Sequence, residues 1–466
     1  MAGRTRVERE VRPSAGPAPK IELAEFQRFS LANGMAVLAI HHDDLPQISS
    51  RLVLPYGTVE DPRERAGTAL LTARALTEGT RRRTASEVAE WLDRLGARFS
   101  LEVNFDASVL SLHFLSRVFD QALDFMAEVV TDPVFDPREV DRLRDERLVE
   151  IARGRDEPRV IAGLRLSEAV FADHPYGMRT GGVEETVREI DGDALRSCHT
   201  RYYRPGEATL VIVGDVPPSD ELKGRLEEAF DAWSGEAKAP RSLSDPEPVE
   251  GRRLWAVQRA GPQSEIRVGV LGIERNDPDY AASSVMNSIL GGLFSSRINM
   301  NLREEKGWTY GASSVLDARK RRGPLSISTA VDAGVTVAAV REILIEMERM
   351  KTQPASGEEL ELAVNSLTLS LPRLFETPSQ VSRRVKQQII YDLPTDYWET
   401  YADQVRATSA ADVQRVANRL LTTESAAVVV VGPVDRFLSE LEEFGTVEIR
   451  DKSGRPSDLE SEEPQA

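Results

Sequence analysis

The 466-residue chain carries 76 acidic against 59 basic side chains, a formal charge of −17 at pH 7, and 41% hydrophobic residues. That balance describes a globular protein and disfavours broad binding to nucleic acid or anionic membranes. The length calls for two or more domains, and the longest apolar runs, 210–213 and 426–431, are strand-length, well short of the roughly 20 residues of a membrane span. The N-terminus, Met-Ala-Gly-Arg-Thr-Arg-Val-Glu-Arg-Glu, has no apolar h-region. A cytoplasmic protein is therefore expected, or a periplasmic one if a start or signal lies upstream. Cys198 is the single cysteine, which excludes an internal disulfide and a cysteine metal cluster; it is expected as a small buried side chain.

Residues 1–22 are Pro, Gly and charge, and 449–466 are acidic and polar; both are expected to be disordered. Domains are expected at 23–233 and 253–448, joined by a linker at 234–252 where Pro240, Pro246 and Pro248 sit among charges. In the first domain, 35–41 and 50–56 read as strands, followed by a helix over about 63–77 with apolar residues at 66, 69, 70, 73 and 76. Arg81, Arg82 and Arg83 are expected in a solvated loop. Thr84-Ala-Ser-Glu87 is a capping box for the next helix, which Gly96 can end. Phe99, Leu101, Val103 and Phe105 alternate as on a half-buried strand, with 109–115 as its hairpin partner. Asp136-Pro137 suits the start of a helix running to about 152.

Each half then closes on the same unit. A helix begins after Ile190-Asp-Gly-Asp and leads to Ala208-Thr-Leu-Val-Ile-Val-Gly214; another begins after Thr408-Ser and leads to Ala427-Val-Val-Val-Val-Gly432. Gly214 and Gly432 are 218 residues apart, so the chain reads as a duplicated domain of about that length. The fold class is α+β: two homologous domains, each a mixed, mainly antiparallel sheet with helices packed on one face.

The segment Gly67-Thr-Ala-Leu-Leu-Thr-Ala-Arg-Ala-Leu-Thr-Glu-Gly79-Thr80 resembles the zinc helix of the pitrilysin-like metallopeptidases, the insulinase and mitochondrial-processing-peptidase type of inverted zincin. Those proteins carry His-x-x-Glu-His there: two histidines four apart share a helix face and hold zinc, and the glutamate activates water. The resemblance places Leu70 and Arg74 at the histidines and Ala73 at the glutamate. None of the three offers a metal a lone pair, and Arg74 brings a fixed charge where a dication would sit. Glu150, in Leu-Val-Glu150-Ile-Ala-Arg-Gly, falls on the third, distal ligand. It is expected either to pair with Arg74 or to be an ordinary solvated glutamate. His174-Pro-Tyr-Gly177 also matches a family motif and reads as a capped turn. The five histidines, at 41, 42, 113, 174 and 199, form no close helical pair with a carboxylate, so no other metal site is expected.

The second half is similar to the family where the first departs from it. Gly291-Gly-Leu-Phe-Ser-Ser-Arg297 and Asn301-Leu-Arg-Glu-Glu-Lys-Gly-Trp-Thr-Tyr310 resemble its Gly-Gly-x-x-Ser-Ser-Arg-Leu and Leu-Arg-Glu-Lys-x-Gly-x-x-Tyr stretch, whose arginine and tyrosine bind substrate backbone near the scissile carbonyl. By position these are Arg303 and Tyr310, both donors suited to an oxygen gaining charge. A helix over 296–306, ended by Gly307, and a strand entered at Trp308 would let them converge. The plainer alternative pairs Arg303 with Glu304 or Glu305 and buries Tyr310 in the core. The resemblance covers roughly residues 25–445. It implies a zinc-less subunit that binds no cofactor, paired with a zinc-bearing homologous chain, and that grips an unstructured peptide by strand addition. The alternatives are a structural or assembly subunit and a peptide-binding protein that does not cleave.

Overall fold

A computed structural model describes residues 26–236 and 241–459. The expected N-terminal arm at 1–22 lies outside these residues, as do Pro240 and residues 460–466. The chain forms two six-stranded sheets. The first is ordered β1 (Gln27–Ser30), β2 (Ala36–His41), β6 (Thr209–Gly214), β3 (Gln47–Leu54), β5 (Ser108–Leu115), β4 (Arg98–Val103). The second is ordered β12 (Val447–Arg450), β7 (Arg253–Gln258), β11 (Ala427–Gly432), β8 (Gln263–Leu271), β10 (Pro324–Asp332), β9 (Ala312–Leu316). Five strands correspond in order and direction. β2 with β6, and β7 with β11, are parallel pairs, and the strands beyond are antiparallel. Only the outermost strands differ: β1 runs antiparallel to its neighbour, β12 parallel.

The uninterrupted apolar runs in β6 and β11 have a structural cause: both strands are buried on both faces. Leu210 and Ile212 point into the core beneath their own domain's helices, while Val211 and Val213 pack on Val381 and Val385. Those valines belong to the helix Pro378–Ile390 of the other half. Conversely, Val429 and Val431 pack on Ile161, Leu166 and Val170 of a first-half helix, Pro158–Phe171. Each sheet therefore has its own helices on one face and one helix of the opposite half on the other. The halves are further joined at Tyr176. Its hydroxyl donates to Asp106 Oδ1 at 2.6 Å and accepts from Arg321 N at 3.0 Å, while the Arg319 guanidinium lies 3.9 Å over the Phe105 ring.

Several local expectations are corrected. The helix expected over 63–77 is α1 (Thr68–Ala75), preceded by a separate turn at Arg63–Arg65. Gly67 at φ 103° breaks the two apart, and the buried carboxylate of Asp61 accepts from Gly67 N and Ala69 N at 3.0 and 3.1 Å, setting where α1 starts. α2 (Ala85–Leu95) has the expected Thr84/Glu87 capping box and Gly96 at its end. Arg83 is not solvated: it stacks 4.2 Å over Trp91 and pairs with buried Glu128. At the other end β12 runs through Arg450, and Asp451 Oδ1 accepts from Gly454 N and Arg455 N at 2.7 and 2.8 Å. Order thus extends past the expected boundary at 448.

Candidate functional site

α1 is positioned by burial of Ala69, Leu71 and Ala75 in the first core, which leaves Leu70 half-buried and Arg74 partly exposed on the face turned from it. Beside it lies α3 (Phe119–Thr131)'s successor, α4 (Pro137–Gly154), which Asp136 caps through Arg138 N at 2.8 Å. The two helices meet at Arg74 and Glu150, two of the positions that the resemblance aligns with zinc ligands. Arg74 donates from both terminal nitrogens to Glu150, at 3.0 and 3.3 Å, and Arg147 donates to the same carboxylate at 2.8 Å. Partial burial pushes the Glu150 carboxyl up, but the hydrogen bonds from Arg147 and Arg74 outweigh it and hold it below the usual range. Of the two expectations for Glu150, the ion pair with Arg74 is the one present. Ala73 is 1% exposed and has no donor atom. These residues do not fit a zinc ion: the one carboxylate is engaged by two guanidiniums, and its neighbours supply no lone pair.

Behind α1, Asp61 is surrounded by the Tyr56 hydroxyl and backbone N–H groups. Burial raises its carboxyl to about 7, against the lowering effect of the Ala69 and Gly67 amides. Cys198 is buried as expected, its sulfur 2.9 Å from the Tyr56 hydroxyl, and burial pushes the thiol up to about 12. His174 Nδ1 accepts from Tyr176 N at 3.1 Å, making the capped turn read from the motif.

In the second half, Arg297–Asn299 forms one α-turn that widens into a π-turn over Met300–Glu305, and Gly307 at φ 66° ends it. The segment is anchored at its root. Arg297 donates to both oxygens of Glu359, at 2.6 and 3.0 Å, holding that carboxyl down at about 2, and Asn299 binds Phe294 O at 2.6 Å. Its tip is open. Tyr310 is 94% exposed, so it is not a core aromatic. Nor is it on a strand, because β9 starts at Ala312; the Thr309 hydroxyl bonds to Gly311 N and O across it, at 3.1 and 2.9 Å. Arg303 lies 4.3 Å over the ring of Phe294, itself 63% exposed, with Glu304 3.5 Å from its Nε. Arg303 and Tyr310 share no hydrogen bond among the described residues. Phe294 was not singled out from sequence; its signal, an aromatic in a Gly-Gly-Leu-Phe-Ser-Ser loop with no periodic pattern, is weak.

The duplicated sheets, the paired helices α1 and α4 and the anchored, open-tipped segment define a two-domain scaffold of the kind the resemblance implies. Residues 36–183 match the family model described as insulinase (peptidase family M16), and 189–367 match the peptidase M16 inactive domain. The chain belongs to this pitrilysin-like family. It is similar to an uncharacterized zinc protease, YmxG, of Bacillus subtilis, at 24% identity over 88% of this chain and 98% of that one. It is also 26% identical to an uncharacterized zinc protease of Mycobacterium tuberculosis, over 90% of this chain and 96% of that one. A solved peptidase M16 inactive domain from Pseudomonas fluorescens superposes with TM-score 0.83 at 27% identity, covering 88% of this chain and 98% of that one. A protease from Helicobacter pylori has the same fold, with TM-score 0.83 at 18% identity.

Proposed function

We propose that this chain is the zinc-less subunit of a heterodimeric metallopeptidase. A zinc-bearing homologous partner supplies the metal, histidines and general base, and this chain supplies Arg303 and Tyr310 to hold the backbone of an extended peptide. The observation that carries the reading is the contrast between the two segments. At the ligand positions Arg74 closes on Glu150, while Tyr310 stays exposed on a segment anchored by Arg297 and Asn299. An exposed tyrosine contributes little to folding, which supports a role for Tyr310 in contacting a molecule outside this chain. A guanidinium steadied on an aromatic face and a phenol both donate to a carbonyl oxygen gaining charge. The membership of this chain in a peptidase family whose relatives include proteins named zinc proteases supports the same reading.

The test is recovery of the tagged chain from its source cells and assay of the eluate on a quenched fluorescent peptide, with and without chelator. Chelator-sensitive cleavage is expected, falling about tenfold or more with Arg303→Ala while partner recovery is unchanged. An eluate with neither a zinc-bearing relative nor cleavage overturns the proposal and leaves an assembly or capture role.

A further inference from the structure

A groove of about 770 Å³ runs over the outer face of β3, β5 and β4 and is closed on one side by the start of the helix Pro378–Ile390 from the other half. In a chain with a charge of −17, its lining is basic: Arg98 and Arg383 face it, and Asp93 is its one carboxylate. Both arginines are exposed, and among the described residues neither side chain has a hydrogen bond or ion pair. A third, Arg51, is buried beneath them and binds only neutral oxygens nearby, Ser111 Oγ at 2.7 Å and Ser382 Oγ at 2.9 Å. Glu102, further along the same face of β4, is taken by Lys386 at 2.6 Å. The three guanidiniums converge on His113, whose imidazole is pushed down to about 4 by burial and then by Arg51, Arg98 and Arg383, so it adds no charge of its own at neutral pH. The first turn of the helix Pro378–Ile390, at Thr377 and Ser379, adds the positive end of its dipole.

β4 is the edge of its sheet and pairs only with β5, so its outer backbone groups are open to another strand. A peptide laid along that edge would place every second side chain on the face that carries Arg98 and Ser100. We infer that this groove selects extended peptides bearing an acidic side chain, Asp or Glu, at the position that overlies Arg98 and Arg383. The inference rests on the peptide-binding reading above and adds a substrate class to it. Unpartnered guanidiniums attract a carboxylate and repel a lysine at the same position, so the discrimination works in both directions.

The test uses labelled ten-residue peptides without secondary structure, identical except for Glu, Gln or Lys at two alternate positions. Anisotropy is measured at low salt, on the full chain alone and on the complex recovered from cells. The Glu peptide is expected to bind about threefold or more tighter than the Gln peptide, and the Lys peptide weakest. In Arg98→Ala/Arg383→Ala the three should converge, with the Gln peptide unaffected and the melting temperature unchanged, since neither arginine has an internal partner. Equal binding of the Glu and Lys peptides, or a preference that survives the double substitution, overturns the inference and leaves peptide binding standing. Binding of no peptide in either preparation overturns both. Binding of an oligonucleotide at these arginines without any acidic-peptide preference also overturns it.

Discussion

Leu70 and Arg74 lie four apart on α1 with Ala73 between them, and Arg74 reaches Glu150 on α4. The resemblance sets these residues at metal-site positions, where Leu70, Ala73 and Arg74 supply no ligand. Leu70→His/Ala73→Glu/Arg74→His removes Arg74 from Glu150, leaving Arg147 alone on that carboxylate, and should create stoichiometric zinc binding, read by competition with a chromophoric chelator; the unaltered chain should bind none in the same assay. Removing the ion pair alone, as Arg74→Ala, should change stability by less than about 1 kcal/mol, because both partners are partly exposed. Asp61 behaves differently, because burial raises its carboxyl to about 7. A folded value above the unfolded value of about 4 means that the folded chain binds the proton more tightly. Its contribution is fully present below about pH 4 and is lost as pH rises through 7. Relative to Asp61→Asn, the native chain should therefore lose stability between pH 4 and 7.5, by an amount of order a few kcal/mol, measurable by urea unfolding at the two limits.

At the scale of elements, the repeat is kept to the residue. The helices Gly192–Tyr202 and Ala410–Leu420, and the strands Thr209–Gly214 and Ala427–Gly432, all stand at the 218-residue separation read from the two glycines. Those glycines end strands that press against a neighbour. A Cβ on Gly214, which has φ 136°, would lie 2.1 Å from Gln47 O, and one on Gly432 would lie 2.4 Å from Ser264 Oγ. Gly214→Ala should cost about 2 kcal/mol or more, because it meets fixed backbone at an unfavourable φ; Gly432→Ala should cost less, because its φ is not strained, although Ser264 Cβ at 2.9 Å must still shift. Paired denaturant melts decide this. Caps and hairpins were legible from local chemistry: Thr84 with Glu87, Asp136 with Pro137, and the alternating strand at 98–103. The start of α1 was not, because Asp61, which sets it from six residues before Gly67, sits outside the helical pattern and fits no standard N-cap spacing.

For the whole molecule, the exchange of helices between halves has a thermodynamic consequence. The outer face of each sheet, with Val211 and Val213 in one and Val429 and Val431 in the other, is covered only when the opposite half is folded. Burial of such side chains is worth about 1.5–3 kcal/mol each, so neither half should persist alone. Scanning calorimetry should show one cooperative transition, and a domain-wise pair of transitions would contradict this packing.

The sequence by itself determined the duplication and the α+β class, and its resemblance to the family singled out Leu70, Ala73, Arg74, Arg303 and Tyr310. The duplication and the class are carried by periodicity and spacing within short stretches, the site positions by the family resemblance. Only the tertiary structure decided that Glu150 is held by Arg74 and Arg147, that Tyr310 stands clear of the core, that each half shields the other's sheet, and that Arg98 and Arg383 line one groove. The physical reason is range. Caps, turns and strand patterns follow from interactions between near neighbours, whereas a charge has a partner, or lacks one, according to residues hundreds of positions away.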